Sequence, residues 1–189
     1  MSFRQEIRLS GAGGQGLILI GKVLAEAAAI YDGLNATQSQ SYGPEARGGA
    51  SRSEVIISDG DIEYPKAENL DILLALTQEA CDKYHEDLKE EGILIVDQKM
   101  VKDLPDENYT TVQLPIIQSA TERLGKFIVA NIVSLGVIVK ISQVVSEEAA
   151  RHAIKARIPK GTEELNIKAF EEGMDMAQKW LTSNSKKDQ

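Results

Sequence analysis

The sequence predicts an α/β protein: a Rossmann-like three-layer domain with a mainly parallel sheet, an antiparallel hairpin excursion and a helical C-terminal third. Three observations carry this expectation. A glycine-rich turn joins an alternating strand pattern to a long apolar helix, short continuous apolar runs then alternate with helical segments, and from residue 116 onward the pattern is helical throughout.

Residues 5–10 alternate Ile7 and Leu9 with Glu6 and Arg8, which is strand periodicity, and run straight into Gly11-Ala12-Gly13-Gly14-Gln15-Gly16. Residues 17–31 are apolar on nearly every face and predict a helix packed deeply against the sheet, with Gly21 permitting close approach. Asp32-Gly33 ends that helix, and a short strand follows at 34–38. The next stretch, 40–49, holds three glycines and a proline in ten residues and reads as a loop. Residues 51–58 alternate as a strand, and Asp59-Gly60 is a hairpin signal leading to 62–65. The runs at 71–77 and 93–97 have the continuous apolar character of strands buried on both faces. Between them, 78–89 reads as an exposed helix that Gly92 stops, and 109–114 gives one more strand. In the helical third, 131–145 is apolar almost throughout, Ser146 caps 147–158, and Thr162 caps a last helix. In that last helix Phe170, Met174, Ala177 and Leu181 form a core-facing stripe.

A chain of 189 residues with 42% apolar and 26% charged residues predicts one domain, at 1–182, followed by a polar frayed tail at 183–189. The balance of 21 basic against 29 acidic residues, a net of −8, argues against a non-specific nucleic-acid binder. No window approaches a membrane span, and no N-terminal apolar core with a cleavage site is present, so the expectation is a cytoplasmic protein. The single Cys81 excludes a disulfide framework, a Cys₄ zinc site and a self-contained iron–sulfur cluster, each of which needs several thiolates.

Two segments are candidate sites. Gly11, Gly13 and Gly16 satisfy G-x-G-x-x-G between a first strand and a helix, where backbone N–H groups and the helix dipole hold phosphate. A tight turn needed only for packing explains the same glycines. A dinucleotide site also calls for an acid about 20 residues on, and Asn35-Ala36-Thr37-Gln38 stands there, so a nicotinamide dinucleotide is disfavoured. The loop from Ser41 to Gly49 is the second candidate: Tyr42 can stack on a ring, Arg47 can pair with a phosphate or carboxylate, and Glu45 can orient Arg47. An ordinary loop with an internal Glu–Arg pair accounts for it equally well. Asp59-Gly60-Asp61 shares part of a thiamine diphosphate motif, but Ser58 stands where that motif has glycine, and a hairpin turn explains it better. Cys81 reads as a semi-buried helix residue with no base beside it, His85 and His152 as surface residues, and Asp97 as a ligand or helix-cap contact.

The glycine turn, the run Ser39-Gln40-Ser41-Tyr42-Gly43-Pro44-Glu45-Ala46-Arg47-Gly48-Gly49, the strand Ser51-Arg52-Ser53-Glu54-Val55 and Asn69-Leu70-Asp71-Ile72-Leu73 resemble the gamma subunits of 2-oxoacid:ferredoxin oxidoreductases, in the form of the 2-oxoglutarate members. The resemblance covers nearly the whole chain. It implies a multisubunit enzyme that oxidatively decarboxylates a 2-oxoacid to acyl-CoA and CO2 and reduces ferredoxin, with no activity in this chain alone. It implies thiamine diphosphate, magnesium and iron–sulfur clusters in the alpha, beta and optionally delta partner subunits. The gamma domain is then expected to close over the active site and to help bind coenzyme A, with Gly11, Gly13, Gly14, Gln15 and Gly16 cradling its phosphates. Ser41, Tyr42 and Arg47 would line the same site or meet the thiamine-bearing chains. A pyruvate or branched-chain substrate is the alternative within the family. A free-standing nucleotide-binding regulator or NAD-dependent dehydrogenase is the alternative outside it.

Overall fold

The computed structural model describes residues 3–41 and 50–185. A six-stranded sheet of order β2-β3-β1-β4-β5-β6 organises it, from β1 (Arg4–Ala12), β2 (Asn35–Ser41), β3 (Ala50–Ser58), β4 (Leu70–Ala75), β5 (Leu88–Asp97) and β6 (Thr110–Leu114). β1, β4, β5 and β6 pair in parallel, and β3 alone runs against its neighbours. The helices are α1 (Leu17–Glu26, continued by a π turn Ala27–Tyr31), α2 (Gln78–Tyr84), α3 (Ile116–Gln118), α4 (Ala130–Ser142), α5 (Glu147–Arg157) and α6 (Glu163–Asn184).

The antiparallel excursion is present, but it is not built where the sequence suggests. Asp59-Gly60 opens no hairpin, and residues 61–69 form no strand. The reason lies in the pairing: β3 is bonded on one side to β2 and on the other to β1, so a returning strand finds no free edge. The antiparallel partners are instead β2 and β3 themselves, joined across the loop at 42–49, which lies outside the described residues. The crossover at 59–69 is fastened by Glu6, whose carboxylate accepts the N–H groups of Glu68 at 2.8 Å and Asn69 at 3.0 Å.

The three layers are unequal. On one face α1 and α4 pack on Ile7, Leu9, Val55, Ile72, Leu74 and Ile95, with α5 and α6 beyond them. Residues 130–139 of α4 are all buried, which is why that segment is apolar on every side. On the opposite face α2 covers a smaller core with Leu73, Leu94 and Val96. Beside it the buried Arg8 is held by Glu54 at 2.9 Å, the Ala67 carbonyl at 3.2 Å and Asp87, with its guanidinium 4.9 Å from the Tyr84 ring centre. A guanidinium taken from water needs such partners to be tolerated.

Local expectations divide on identifiable physics. Gly21 permits close approach as expected, since a Cβ there would lie 2.2 Å from the Ser53 hydroxyl. Gly33, at φ 70°, ends the first helix, and the Ser146 hydroxyl caps α5 by accepting the Ala149 N–H at 3.1 Å. Gly92, by contrast, does not stop a helix. α2 ends at Tyr84, and Leu88 already pairs with Leu70 as strand, because burying Leu88 outweighs continuing an exposed helix. Between the pairs Leu70–Leu88 and Ile72–Ile93, four residues of β5 (89–92) stand against one of β4 (Asp71), and Gly92 fits that irregularity. Thr162 does not cap α6 with its side chain; its hydroxyl donates to the Pro159 carbonyl at 2.7 Å instead. Of the expected stripe Phe170, Met174 and Ala177 are buried and Leu181 is half-buried, and α6 runs through Asn184.

Cys81 is fully buried, not half-exposed. Burial, with the Asp82 charge adding, pushes its thiol up to about 11. At pH 8 only about 0.1% of it is thiolate, so reaction with a thiol reagent should follow unfolding; rapid labelling of the folded chain would contradict this placement. The crossing of α4 and α6 gives a second expectation. A Cβ on Gly136 would lie 2.2 Å from the Phe170 carbonyl oxygen, and one on Gly173 would lie 2.0 Å from that of Val133, both rigid backbone. Gly173→Ala should therefore cost about 3 kcal/mol in a guanidinium titration, and an unshifted midpoint would refute the close crossing.

Candidate functional site

β1 delivers its end directly into the glycine turn. Ala12 closes the strand, Gly13 and Gly14 form the exposed turn, and Gly16 at φ 74° starts α1. Gln15 clamps the turn from within: its N–H donates to the Ala12 carbonyl at 3.3 Å, and its side-chain oxygen accepts the Ala12 N–H at 2.8 Å. The glycines divide by role. At Gly11 a Cβ would lie 2.2 Å from the Gln15 side-chain oxygen, and at Gly16, whose φ is positive, 2.3 Å from the Asn131 amide nitrogen, so a side chain at either position would displace one of these two polar contacts. Above Gly13 and Gly14 no heavy atom of the described residues lies within 4 Å of a Cβ at either position.

The electrostatics favour an anion. α1 has no side-chain cap and no acidic residue in its first turn, and no described residue accepts the N–H of Gly14 or Gly16. The positive end of the helix dipole lies at this turn, where backbone N–H groups favour a bound anion. By comparison, α2 is capped by Thr77 and α5 by Ser146, each with acids in the first turn.

Topology places the turn at a switch point. From β1 the chain passes to β2 and β3 on one side and later to β4, β5 and β6 on the other, which opens a crevice at the carboxyl ends of β1 and β4. Gln15, Leu76, Phe127, Ile128 and Ala130 line it narrowly. Asn131, in the first turn of α4, is buried and donates to the Gly16 carbonyl at 3.3 Å. It ties the two helix starts together. The sequence carried one signal for it, a carboxamide opening an otherwise apolar helical run.

Ser41 ends β2 on the same edge but is separated from β1 by β3. Ala50, the first described residue after the loop, pairs with Ala12, so the chain leaves 42–49 directly beside the glycine turn. Tyr42 and Arg47 themselves lie outside the described residues. Arg52, next to Ser41 across the ladder, is a cation that the sequence reading did not single out. Its nearest carboxylate, Glu54, is 3.7 Å away and is held more closely by Arg8 at 2.8 Å.

The remaining candidates are structural. Asp97 is fully buried and accepts the N–H groups of Lys99, Met100 and Ile117 at 2.8–3.0 Å, which makes it a cap rather than a ligand. His152 is exposed and stacks on Tyr31, whereas His85 is partly buried against the Tyr109 ring. A cleft of about 360 Å³ between Gln98, Gln118, Glu172 and Lys179 lies beyond β6, away from the switch point. Burial works to raise the Glu172 carboxyl, but hydrogen bonds from Ser119 and Arg123 hold it below its ordinary range, so its charge is already met. Among the described residues no group of three His, Cys, Asp or Glu side chains forms a metal site, and no helix is long and apolar enough to cross a membrane.

Comparison with known proteins agrees with this architecture. The family model for pyruvate ferredoxin/flavodoxin oxidoreductase matches residues 6–176. The chain is 49% identical over 179 residues to 2-oxoglutarate synthase subunit KorC of Methanocaldococcus jannaschii, covering 94% of this chain and 96% of that protein. The gamma subunit of a keto/oxoacid ferredoxin oxidoreductase from Geobacter sulfurreducens superposes with a TM-score of 0.87 at 57% identity, over 93% of this chain and 97% of that one. A 2-oxoglutarate:ferredoxin oxidoreductase from Magnetococcus marinus, solved with 2-oxoglutarate, coenzyme A and succinyl-CoA, shares the fold. Its TM-score is 0.83 at 23% identity, over 93% of this chain and 31% of the other. A sheet with one reversed strand, a glycine turn at its switch point and a near full-length match lead to one conclusion: this chain belongs to the pyruvate ferredoxin/flavodoxin oxidoreductase family, as a relative of its gamma subunits.

Proposed function

We propose that the chain is the gamma-type subunit of a 2-oxoglutarate:ferredoxin oxidoreductase and that its glycine turn holds the diphosphate of coenzyme A. In that reaction the C1–C2 bond of the 2-oxoacid breaks and the carboxyl group leaves as CO2. Two electrons pass to ferredoxin, and the acyl carbon joins the sulfur of coenzyme A as the thiol gives up its proton. Support for the substrate comes from the relative named 2-oxoglutarate synthase subunit KorC.

The observation that carries the coenzyme A assignment is the glycine turn at the uncapped start of α1, where among the described residues nothing lies above Gly13 and Gly14 and nothing accepts the N–H of Gly14 or Gly16. A diphosphate satisfies those donors. Gly11 lets Gln15 close the turn, Gly16 lets Asn131 approach, and Arg47, with Tyr42 and Ser41, is assigned to the same ligand from the loop that returns at Ala50. A nicotinamide dinucleotide fits less well. β2 carries no carboxylate, and β3 stands between β2 and β1, which removes the position from which an acid would reach the ribose.

The redox groups belong to other chains in this reading. One cysteine cannot ligate an iron–sulfur cluster. The clusters are therefore assigned to partner chains, and on the family resemblance thiamine diphosphate and magnesium go with them to the alpha, beta and optional delta subunits, with ferredoxin at a site on the complex. This chain binds, orients and covers, and discrimination among 2-oxoacids rests with the thiamine-bearing partners.

Gly13→Val is the appropriate test, because the backbone there needs no positive φ and the space is open, so the variant should fold while its side chain blocks the ligand. Calorimetric titration of the assembled enzyme should show coenzyme A binding at least about tenfold weaker, the loss of one or more charge-assisted hydrogen bonds. Unchanged affinity would remove the turn from the coenzyme site.

A further inference from the structure

Beside the glycine turn, the short 3₁₀ turn that precedes α4 presents Lys126, Phe127 and Ile128 to solvent, the latter two 48% and 59% exposed. Their neighbours Val129 and Ala130 are buried, so this exposure belongs to the tip and not to a loosely packed segment. The tip is fixed at both ends: the Lys126 N–H donates to the Ala120 carbonyl at 3.0 Å, and the Lys126 carbonyl accepts the Val129 N–H at 3.2 Å. Gly125, at φ 69°, makes the sharp approach. Phe127 and Ile128 share the switch-point crevice with Gln15 and Leu76, whereas the other strongly exposed apolar side chains, such as Ile30, Tyr64 and Met100, do not line it.

We infer that this lip reads the phosphorylated adenosine end of coenzyme A, Phe127 stacking on the adenine and Lys126 meeting the 3′-phosphate. The inference rests on the placement of the diphosphate at the glycine turn. An aromatic ring held rigidly in water offers a face on which a base can stack, as it does for nucleic-acid bases. Lys126 is exposed, and among the described residues it pairs with no carboxylate, so in a chain of net charge −8 it is a local cation available to an anion. An aromatic face adjoining a free cation and a diphosphate cradle matches a nucleotide that carries a further phosphate on its ribose. An uncharged or purely apolar ligand would leave Lys126 unused. Ile128, beside the ring, covers the edge of the base from water.

The test is a set of titrations on the intact oxidoreductase complex with coenzyme A, dephospho-coenzyme A and 4′-phosphopantetheine. Phe127→Ala should weaken coenzyme A and dephospho-coenzyme A alike, by about tenfold, and leave 4′-phosphopantetheine unaffected. Phe127→Trp should restore binding. Lys126→Ala should weaken coenzyme A alone and so abolish its advantage over the dephospho form. If both alanine variants bind as the native enzyme does while Gly13→Val remains weak, the lip reading is wrong and the diphosphate placement stands. If Gly13→Val is also without effect, the placement itself is wrong. Loss of this chain from the complex on Phe127→Ala would make the lip a subunit contact and overturn the inference.

Discussion

The structure depends on how closely α1 is brought to the end of β1. The six residues Gly11 to Gly16 turn the chain from strand to helix, and two of them are crowded by side chains rather than by other backbone: Gly11 by Gln15 and Gly16 by Asn131. A side chain at either point would push the helix start away from the sheet, lengthen the Asn131 bond to the Gly16 carbonyl and separate the starts of α1 and α4. With that contact made, α1 lies across β3 with Gly21 against Ser53, residues 130–139 of α4 are enclosed, and the crevice between β1 and β4 acquires its two walls. The same packing leaves the Gly14 and Gly16 amides at the turn with no acceptor among the described residues.

Much of this was legible in the sequence. Strand alternation, buried apolar runs and the glycine turn fixed the order of elements, because each is a local consequence of a period of 2 or 3.6. What was not legible depended on neighbours distant in sequence. Asp59-Gly60 has hairpin chemistry, but whether a hairpin forms is decided by the edges of β3, and both are taken. Gly92 resembles a helix stop, but the pairing of Leu88 with Leu70 begins the strand before it. Thr162 has the side chain of a cap, yet its hydroxyl turns back to Pro159.

The candidate site shows the same division. Gly11 to Gly16 announced themselves by spacing, and the structure separates Gly11 and Gly16, crowded by side chains, from Gly13 and Gly14, which no described residue crowds. Asn131 and the lip at 126–128 lie over 100 residues away and join the turn only through the fold, so no spacing rule could have found them. Ser41 reaches the edge at a distance of two strands, because β3 is inserted where a dinucleotide fold would place β2 against β1. That insertion removes a ribose-binding acid and brings the loop after β2 back to Ala12. The single buried cysteine cannot by itself ligate an iron–sulfur cluster, which is consistent with the proposed division of labour between this chain and its partners.

The central claim is that the amides of the glycine turn hold the coenzyme A diphosphate. A structure of the assembled oxidoreductase with coenzyme A bound tests it most directly. The account predicts diphosphate oxygens within about 3 Å of the Gly14 and Gly16 nitrogens. Ordered coenzyme A elsewhere in the complex, with those amides facing only solvent, would contradict it.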